Sequence, residues 1–253
     1  MADLRYYVEK IPRIEGTTYE YDTDRYRKFG IGTDDIFRAT GKQIAETDLK
    51  AMQWGDPLIA QAIGWYWHGV MANYYPQSIA EIITDHVFNK GMGTVCGIQS
   101  MLITRYKARI TADGKFGVET CGAIRAAVKR YGEKHVYNSL YAYRLQFYTG
   151  ASMKNYGSCE NVSCTRPICK TLVQTRLNHY YPIFGNENAE NSLIPVSDEG
   201  ISSMDILKYA TSSGVQETIN TNSSNQKTYL FVALGIVGII AGCLYLAIKT
   251  IMK

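Results

Sequence analysis

IEGTTYEYDTDRYRKFGIGTDD, residues 14–35, places one glutamate, Glu15, before a glycine, a run of hydroxyl and aromatic residues, and a Gly-Ile-Gly sequence. Ile11 and Ile14 give the preceding residues a short amphipathic pattern that ends at Glu15. Gly16 lets the backbone turn at that point, which would direct the carboxylate towards a cleft. Alternating strand patterns are scarce elsewhere, and we expect one small β-hairpin, at residues 19–31.

The rest of the first 184 residues has the pattern of a helical domain. Apolar residues recur at three- and four-residue spacings in residues 47–70, 76–90 and 117–132, and Gly132 marks the end of the last segment. A chain of 253 residues with 46% apolar and 20% charged residues can bury one substantial core. We therefore predict a mainly α fold with one main domain at residues 1–184.

A series of short motifs runs along this domain in the following order: Glu15-Gly16, Asp24, Phe29-Gly30-Ile31, Tyr66-Trp67, Pro76, Asp85, Asn89, Gly91, Ile98-Gln99, Asp113-Gly114-Lys115-Phe116-Gly117 and Thr120. In this order they resemble glycoside hydrolase family 108, which comprises bacterial and phage N-acetylmuramidases. The resemblance covers residues 9–184. It implies a lysozyme-like helical domain with a β-hairpin, and a peptidoglycan-binding-type helical part at about residues 85–150.

Glycosidic bond cleavage explains why a chain would place a carboxylate at residue 15. The reaction delivers a proton to a poor leaving oxygen, and its donor is a carboxylic acid kept protonated near neutral pH by its surroundings. The resemblance assigns the role of catalytic acid to Glu15. The alternative interpretation is an ordinary solvated glutamate.

A second carboxylate would stabilise the oxocarbenium-like transition state or activate water. Asp22 and Asp24 follow Glu15 by seven and nine residues, and either could face it across the hairpin. The alternative for each is a turn aspartate bonded to its own backbone. Linear spacing leaves open which one acts, and with it the choice between inversion and retention.

The hairpin departs from the family pattern in two places. Residues 15–18 read Glu-Gly-Thr-Thr where the family has Glu-Gly-Gly and an aromatic residue, and the turn after the aspartate is shorter. The polar residue expected before the aromatic-Gly-Ile sequence is basic, either Arg27 or Lys28. Thr33 is our candidate to substitute for it in binding substrate or water.

Aromatic residues in the next helical segment are candidates for substrate binding. Tyr66 and Trp67 could offer ring faces to the C–H surfaces of pyranose sugars, although core positions are the commoner use of such residues. Asp85 fits a structural role, either capping or pairing with a buried partner, better than a catalytic one.

Charge and cysteine content limit the other classes of function. The basic excess lies in residues 1–184, because residues 185–253 contain four lysines and six acidic residues. A field of this kind suits an anionic surface, but no nucleic-acid-binding motif accompanies it. Without a secretory signal, we expect thiols rather than a disulfide framework. We predict no metal site and no cofactor, since the five-residue spacing of Cys159, Cys164 and Cys169 differs from that of zinc knuckles.

The C-terminal part predicts a tether and an anchor. Residues 229–248 contain neither charge nor proline, and as a helix they would span roughly 30 Å, so we predict a single transmembrane helix within residues 228–253, with a buried core helix as the alternative. Gly238 and Gly242 would allow self-association there. Residues 185–227 are rich in Asn, Ser and Thr and predict a polar linker with a short helix at 204–209.

Together these features predict a membrane-anchored peptidoglycan hydrolase that cleaves the β-1,4 bond between N-acetylmuramic acid and N-acetylglucosamine. The alternatives are a lytic transglycosylase, and an inactive wall-binding or structural virion membrane protein. Because a C-terminal anchor would leave the domain facing cytoplasm, where no peptidoglycan exists, we hypothesise a membrane-containing phage that carries the enzyme to the next cell. The expected partners are peptidoglycan, a lipid membrane (of the virion or the host inner membrane) and capsid or other virion proteins.

Overall fold

The structure, a computed structural model, describes residues 1–22, 25–149 and 200–210, with side chains except those of Asp22 and residues 146–149. These residues are mainly helical with one small hairpin, as predicted. In chain order the elements are α1 (Leu4–Val8), α2 (Ile11–Glu15), β1 (Tyr19–Asp22), β2 (Arg25–Lys28), α3 (Thr33–Thr40), α4 (Glu46–Ala51), α5 (Pro57–Gly69), a 3-10 turn (Ala72–Tyr74), α6 (Gln77–Lys90), a second 3-10 turn (Met92–Thr94), α7 (Val95–Tyr106), α8 (Val118–Tyr131), α9 (Glu133–Thr149) and α10 (Ser203–Ala210).

The two strands form an antiparallel hairpin within the predicted residues 19–31. Their register pairs Tyr19 with Lys28 and Tyr21 with Tyr26. Aromatic residues suit a half-exposed pleated surface, which explains why this tyrosine-rich segment forms strands. After β2 the chain reverses through a bridge between Lys28 and Ile31, and α3 begins two residues later.

Residues 47–70 form two helices, α4 and α5, because the chain is interrupted at Pro57. The carboxylate of Asp56 accepts a hydrogen bond from the amide of Leu58 at 2.8 Å and caps α5. Pro57 occupies the first helical position, where its missing N–H leaves no bond unmade. The predicted segment 76–90 forms α6, which begins after Pro76.

Helix α6 lies at the centre of the domain, packed against α5 and α9, and 11 consecutive residues of it are buried. Two of these are acids, and a buried carboxylate costs free energy unless it is paired. Glu81 pairs with Lys10 Nζ at 2.6 Å, and Asp85 pairs with Arg144 Nη2 at 2.5 Å. The pairs connect α6 to the start of α2 and to α9, and the structural role predicted for Asp85 is confirmed.

Residues 200–210 pack on the domain as part of it. Ile201 and Ile206 are buried, the amide of Ile201 donates to the carbonyl of Tyr106 at 3.0 Å, and α10 lies against α8. The two helices approach so closely at Gly122 that a Cβ there would lie 2.4 Å from the Ile206 carbonyl oxygen. The predicted short helix at 204–209 is therefore present, but residues 200–210 are not the solvated tether that we predicted. The rest of 185–227 lies outside the described residues.

Two further predictions concern the cysteines and the membrane anchor. Cys121 is a buried free thiol, whereas Cys96 is disulfide-bonded, so the prediction of thiols is wrong for Cys96. That prediction was based on the reducing compartment expected for a chain without a secretory signal, and a compartment does not determine which cysteines the fold brings together. Among the helices of the described residues, none has the length and apolar character needed to span a membrane. The anchor predicted at 228–253, with Gly238 and Gly242, lies outside those residues.

Candidate active site

Glu15 is the last residue of α2, and its side chain is half-buried. The helix is held in place by Ile11 and Ile14, which are buried in the core, and by the ion pair between Lys10 at its start and Glu81. Gly16 ends the helix with a φ of 77°, a backbone conformation that residues other than glycine rarely adopt. Glu15 therefore lies at a fixed point where the chain leaves the core and enters the hairpin.

The carboxyl group of Glu15 lies against the backbone of Gly30. A Cβ atom at Gly30 would be 2.8 Å from Glu15 Cδ and 2.9 Å from Oε2, and Gly30 has a φ of 76°. The backbone conformation thus favours glycine at this position, and a side chain there would displace the Glu15 carboxyl group. The Phe29-Gly30-Ile31 motif forms one wall of the site at Glu15.

This wall is a tight, well-supported turn. The amides and carbonyls of Lys28 and Ile31 bond reciprocally, at 2.9 and 3.0 Å. Phe29, which has a φ of 56°, is buried and meets Trp54 edge to face with ring centroids 5.1 Å apart. The aromatic anchor and the two hydrogen bonds fix the position of Gly30 relative to the core.

Arg27, on β2, supports the same turn. Its Nη1 donates to the carbonyl oxygen of Gly30 at 2.9 Å and lies 3.4 Å from Asp35 Oδ2. Arg27 is one of the two basic residues, with Lys28, that are candidates for the position at which the resemblance implies a polar residue. Its observed role is to hold the turn that contacts Glu15.

Asp35 is a buried carboxylate at the start of α3. It accepts hydrogen bonds from the Gly32 amide at 2.8 Å, from Arg38 Nη2 at 2.7 Å and from the Tyr66 hydroxyl at 2.5 Å. Burial, followed by the negative charge of Asp35, raises the pKa of Tyr66 well above its ordinary value. Tyr66 therefore remains a hydrogen-bond donor at any physiological pH.

Asp34 extends this network to the protein surface, where it pairs with Arg25 and with Arg38. Partial burial raises the pKa of Asp34, but the hydrogen bond from Arg25 and the charges of the arginines outweigh this and hold the pKa below its ordinary value. Asp34 is therefore charged near neutral pH. Three arginines and two aspartates thus lie beside the turn that contacts Glu15.

Sequence reasoning missed this network. Its residues are Arg25, Arg27, Arg38, Asp34 and Asp35, and two signals could have identified it. An acidic residue three positions after Gly32 is typical of a helix start, where it accepts the backbone amide. Alternating arginines in the preceding strand place two cations on one face of the hairpin, opposite those acids.

The two candidates for the second carboxylate are Asp22 and Asp24, which precede β2 in the chain. Asp22 is the last residue of β1 and is paired in register with Arg25. Its side chain and the whole of Asp24 lie outside the described residues. Whether either aspartate faces Glu15 stays a prediction.

The structure separates the three candidates for substrate binding. Thr33 is the first residue of α3 and half-buried, beside Gly32 and the acidic network. Trp67 is fully buried, stacked on Tyr7 with ring centroids 5.8 Å apart, and Tyr66 is 5% exposed. Neither Tyr66 nor Trp67 offers a ring face to a sugar, because their apolar surface fills the core.

Within residues 1–22, 25–149 and 200–210, no cluster of three His, Cys, Asp or Glu side chains has the arrangement to hold a metal ion. Cys159, Cys164 and Cys169 lie outside this part of the chain.

Comparison with protein-family models, curated proteins and solved structures found no match to this chain.

Proposed function

We propose that this protein is a lysozyme-like peptidoglycan hydrolase of the muramidase type, with Glu15 as the proton donor. The observation that carries the proposal is the packing of the Glu15 carboxyl group against the α carbon of Gly30, within 2.8 Å of where a Cβ would be. A half-buried carboxyl group held at the base of a hairpin is partly withdrawn from water, which is the condition a general acid requires.

In this mechanism, Glu15 gives its proton to the oxygen that joins N-acetylmuramic acid to N-acetylglucosamine. Positive charge then develops on the sugar ring, and a second carboxylate stabilises it or activates the attacking water. Asp22 and Asp24 remain the candidates for this role. Arg27 and the turn around Gly30 do not act on the substrate; they fix the position of the Glu15 carboxyl group.

The resemblance to glycoside hydrolase family 108 supports the same assignment. The residues that carry it in this region are Glu15, Gly30 and Ile31, and two of them meet in space although they are 15 positions apart in the sequence. The shortened hairpin and the arginine network depart from that pattern, and they favour the alternative of an inactive wall-binding or structural virion protein.

The decisive experiment compares three forms of the full-length chain in detergent: wild type, Glu15→Gln and Glu20→Gln. Glu20 is an exposed glutamate of β1, so its substitution is a matched control for the change of charge. We expect the rate of wall hydrolysis to fall by at least about a hundredfold in Glu15→Gln, because the proton donor is lost, and to stay within about twofold in Glu20→Gln. Initial rates of turbidity loss with purified sacculi provide the measurement.

The remaining outcomes separate the alternatives. Mass spectrometry of the released muropeptides distinguishes hydrolysis, which leaves reducing ends, from transglycosylation, which leaves 1,6-anhydro ends. An unchanged rate in Glu15→Gln would remove that residue from its role. Wild-type protein that binds sacculi without cleaving them would support the wall-binding protein instead.

We further propose that residues 228–253 anchor the enzyme in the membrane of a phage particle, which carries it into the wall of the next host. The apolar run at 229–248 supports this part of the proposal. Density-purified particles should contain the protein in their membrane fraction. Recovery of the protein from the supernatant of lysed cells alone would contradict it.

A further inference from the structure

Strand pairing places three tyrosines on one face of the hairpin. Side chains alternate along a strand, so Tyr19 and Tyr21 share a face, and the register adds Tyr26 directly opposite Tyr21. The rings of Tyr19 and Tyr26 are stacked, with centroids 4.8 Å apart and planes 3° apart. Tyr21 meets Tyr26 edge to face at 5.0 Å. The three rings form a continuous aromatic column, which we call the tyrosine face.

Two of the three rings are open to solvent. Tyr21 is 63% exposed and Tyr26 is 37% exposed, while Tyr19 packs partly against the core. Stacking of the rings stabilises the hairpin, and their exposed edges and faces also form a contiguous aromatic surface of the kind that marks interaction sites. Each tyrosine also carries a hydroxyl group, which can bond a polar ligand.

The charges around the tyrosine face are mostly positive. Lys28 is paired with Tyr19 and lies on the same face, and Lys50 Nζ lies 5.7 Å from the centre of the Tyr19 ring. Glu46 is the acid whose charge acts on Tyr19. Exposed rings beside two lysines suit a ligand that combines apolar C–H surfaces with carboxylates.

The tyrosine face lies close to the candidate active site along the chain. Strand β1 starts four residues after Glu15, and Gly30, which contacts the Glu15 carboxyl group, follows the end of β2 by two residues. Tyr26 precedes the end of β2 by two residues, which corresponds to about 7 Å along the strand at roughly 3.3 Å per residue, and the tight turn that holds Gly30 follows directly. A polymer bound at Glu15 and extended along the hairpin would therefore reach Tyr26 and Tyr21.

We propose that the tyrosine face is a binding subsite for the glycan strand of peptidoglycan, remote from the bond that is cleaved. The rings of Tyr21 and Tyr26 stack on the C–H faces of the sugars, while Lys28 and Lys50 pair with the carboxylates of the lactyl and peptide groups. The proposal rests on the function proposed above, because that function places the cleaved bond at Glu15 and so sets the direction in which the glycan extends along the hairpin.

The test measures binding in the Glu15→Gln background of the full-length chain, where turnover does not remove the ligand. The probes are purified sacculi and a soluble muropeptide tetrasaccharide. We expect Tyr21→Ala with Tyr26→Ala to weaken binding by about tenfold, and Tyr21→Phe to leave it within about twofold, since stacking needs the ring. Phe37→Ala is the matched control, because Phe37 is another exposed ring, on α3.

Kinetics in the active enzyme separates this proposal from the function on which it rests. The double alanine variant should raise KM for the tetrasaccharide while kcat is unchanged, because a remote subsite contributes equally in the ground state and the transition state. Unchanged binding and KM, with turnover still dependent on Glu15, would overturn the subsite and leave the function standing. Ring-dependent binding by a wild-type chain that cleaves nothing would keep the subsite and overturn the hydrolase. Equal loss of binding in Phe37→Ala, or ring-dependent binding to phosphatidylglycerol vesicles without glycan, would also overturn the subsite.

Discussion

The hairpin region at residues 11–40 and the helices around α6 are held together in different ways. In the hairpin region the structure depends on ion pairs whose arginines are partly exposed, on the tight turn at Gly30 and on stacked tyrosines. Around α6 it depends on buried apolar residues and on two ion pairs whose carboxylates, Glu81 and Asp85, are buried. The first region holds the candidate catalytic groups, and the second holds most of the core.

This difference indicates how stability and function are divided. Exposed ion pairs contribute little to the free energy of unfolding, whereas breaking a buried pair leaves an uncompensated charge. Substitutions near α6 should therefore lower stability first, and substitutions near Gly30 should lower activity first. Three predictions test that division, in order of decreasing effect.

The largest effect is expected at the buried pair between Asp85 and Arg144. Arg144→Met leaves the Asp85 carboxylate buried without its cation, and we expect the free energy of unfolding to fall by about 3–5 kcal/mol. Arg25→Met is the matched control, since it removes a half-exposed arginine whose partner, Asp34, is half-exposed and keeps its pair with Arg38, and it should cost about 1 kcal/mol or less. Urea unfolding followed by circular dichroism measures both.

A second variant shows whether the cost is that of an unpaired charge. Asp85→Leu combined with Arg144→Met replaces the pair by apolar groups and should recover much of the stability lost in Arg144→Met. A double variant less stable than Arg144→Met would show that the two residues act through other contacts.

The α6 region was the more predictable from the sequence. Apolar spacing predicted the helical segments 76–90 and 117–132, because burial of one face leaves a periodic pattern. Asp85 was also predicted to have a structural role, either as a cap or as one member of a buried pair, because a buried carboxylate needs a partner. The partner itself, Arg144, was not predictable, because 59 residues separate the two in the chain and no local pattern connects them.

The hairpin region was predictable in outline but not in its chemistry. Tyr19 and Tyr21 alternate with polar residues, which predicted the strands, and Glu15 was identified from its position before Gly16. The contact between Glu15 and Gly30 depends on the length and path of the turn, which local spacing does not encode. Likewise, Trp67 was considered for sugar binding because the sequence position of a large aromatic residue on a helix does not distinguish a core residue from one that lines a cleft.

The next prediction concerns Gly30, where the effect should appear in activity. Gly30→Ala places a Cβ at 2.8 Å from Glu15 Cδ, so the carboxyl group must move. A displacement of about 1 Å can lower the rate by about a hundredfold, and we expect a loss of that size in the hydrolysis of sacculi. The free energy of unfolding should fall by only about 1–2 kcal/mol.

Gly41→Ala is the control for Gly30→Ala. Gly41 has a similar φ of 73°, but a Cβ there would have no atom within 4 Å. It should therefore show the same backbone cost in urea unfolding and a wild-type rate of hydrolysis. Equal rates in the two alanine variants would mean that the contact with Glu15 has no part in the reaction.

The smallest effect, and the sharpest separation of the two regions, is expected in the pH dependence of stability. Burial, and then the charges of Arg144 and Lys90, hold the pKa of His86 on α6 well below its ordinary value of 6.5. Below that pH the unfolded chain binds a proton that the folded chain does not, so the free energy of unfolding should fall by up to about 1.4 kcal/mol per pH unit.

Asp34, in the hairpin region, behaves differently, because its pKa lies below its ordinary value of 3.8. Its contribution is complete above that value and is lost only as the pH falls through the lowered pKa. Urea midpoints between pH 7 and 5 should therefore fall less in His86→Gln than in wild type, whereas Asp34→Asn should follow wild type over that range and depart from it only below about pH 4. Parallel curves for wild type and His86→Gln from pH 7 to 5 would show that acid does not act on the α6 region through this histidine.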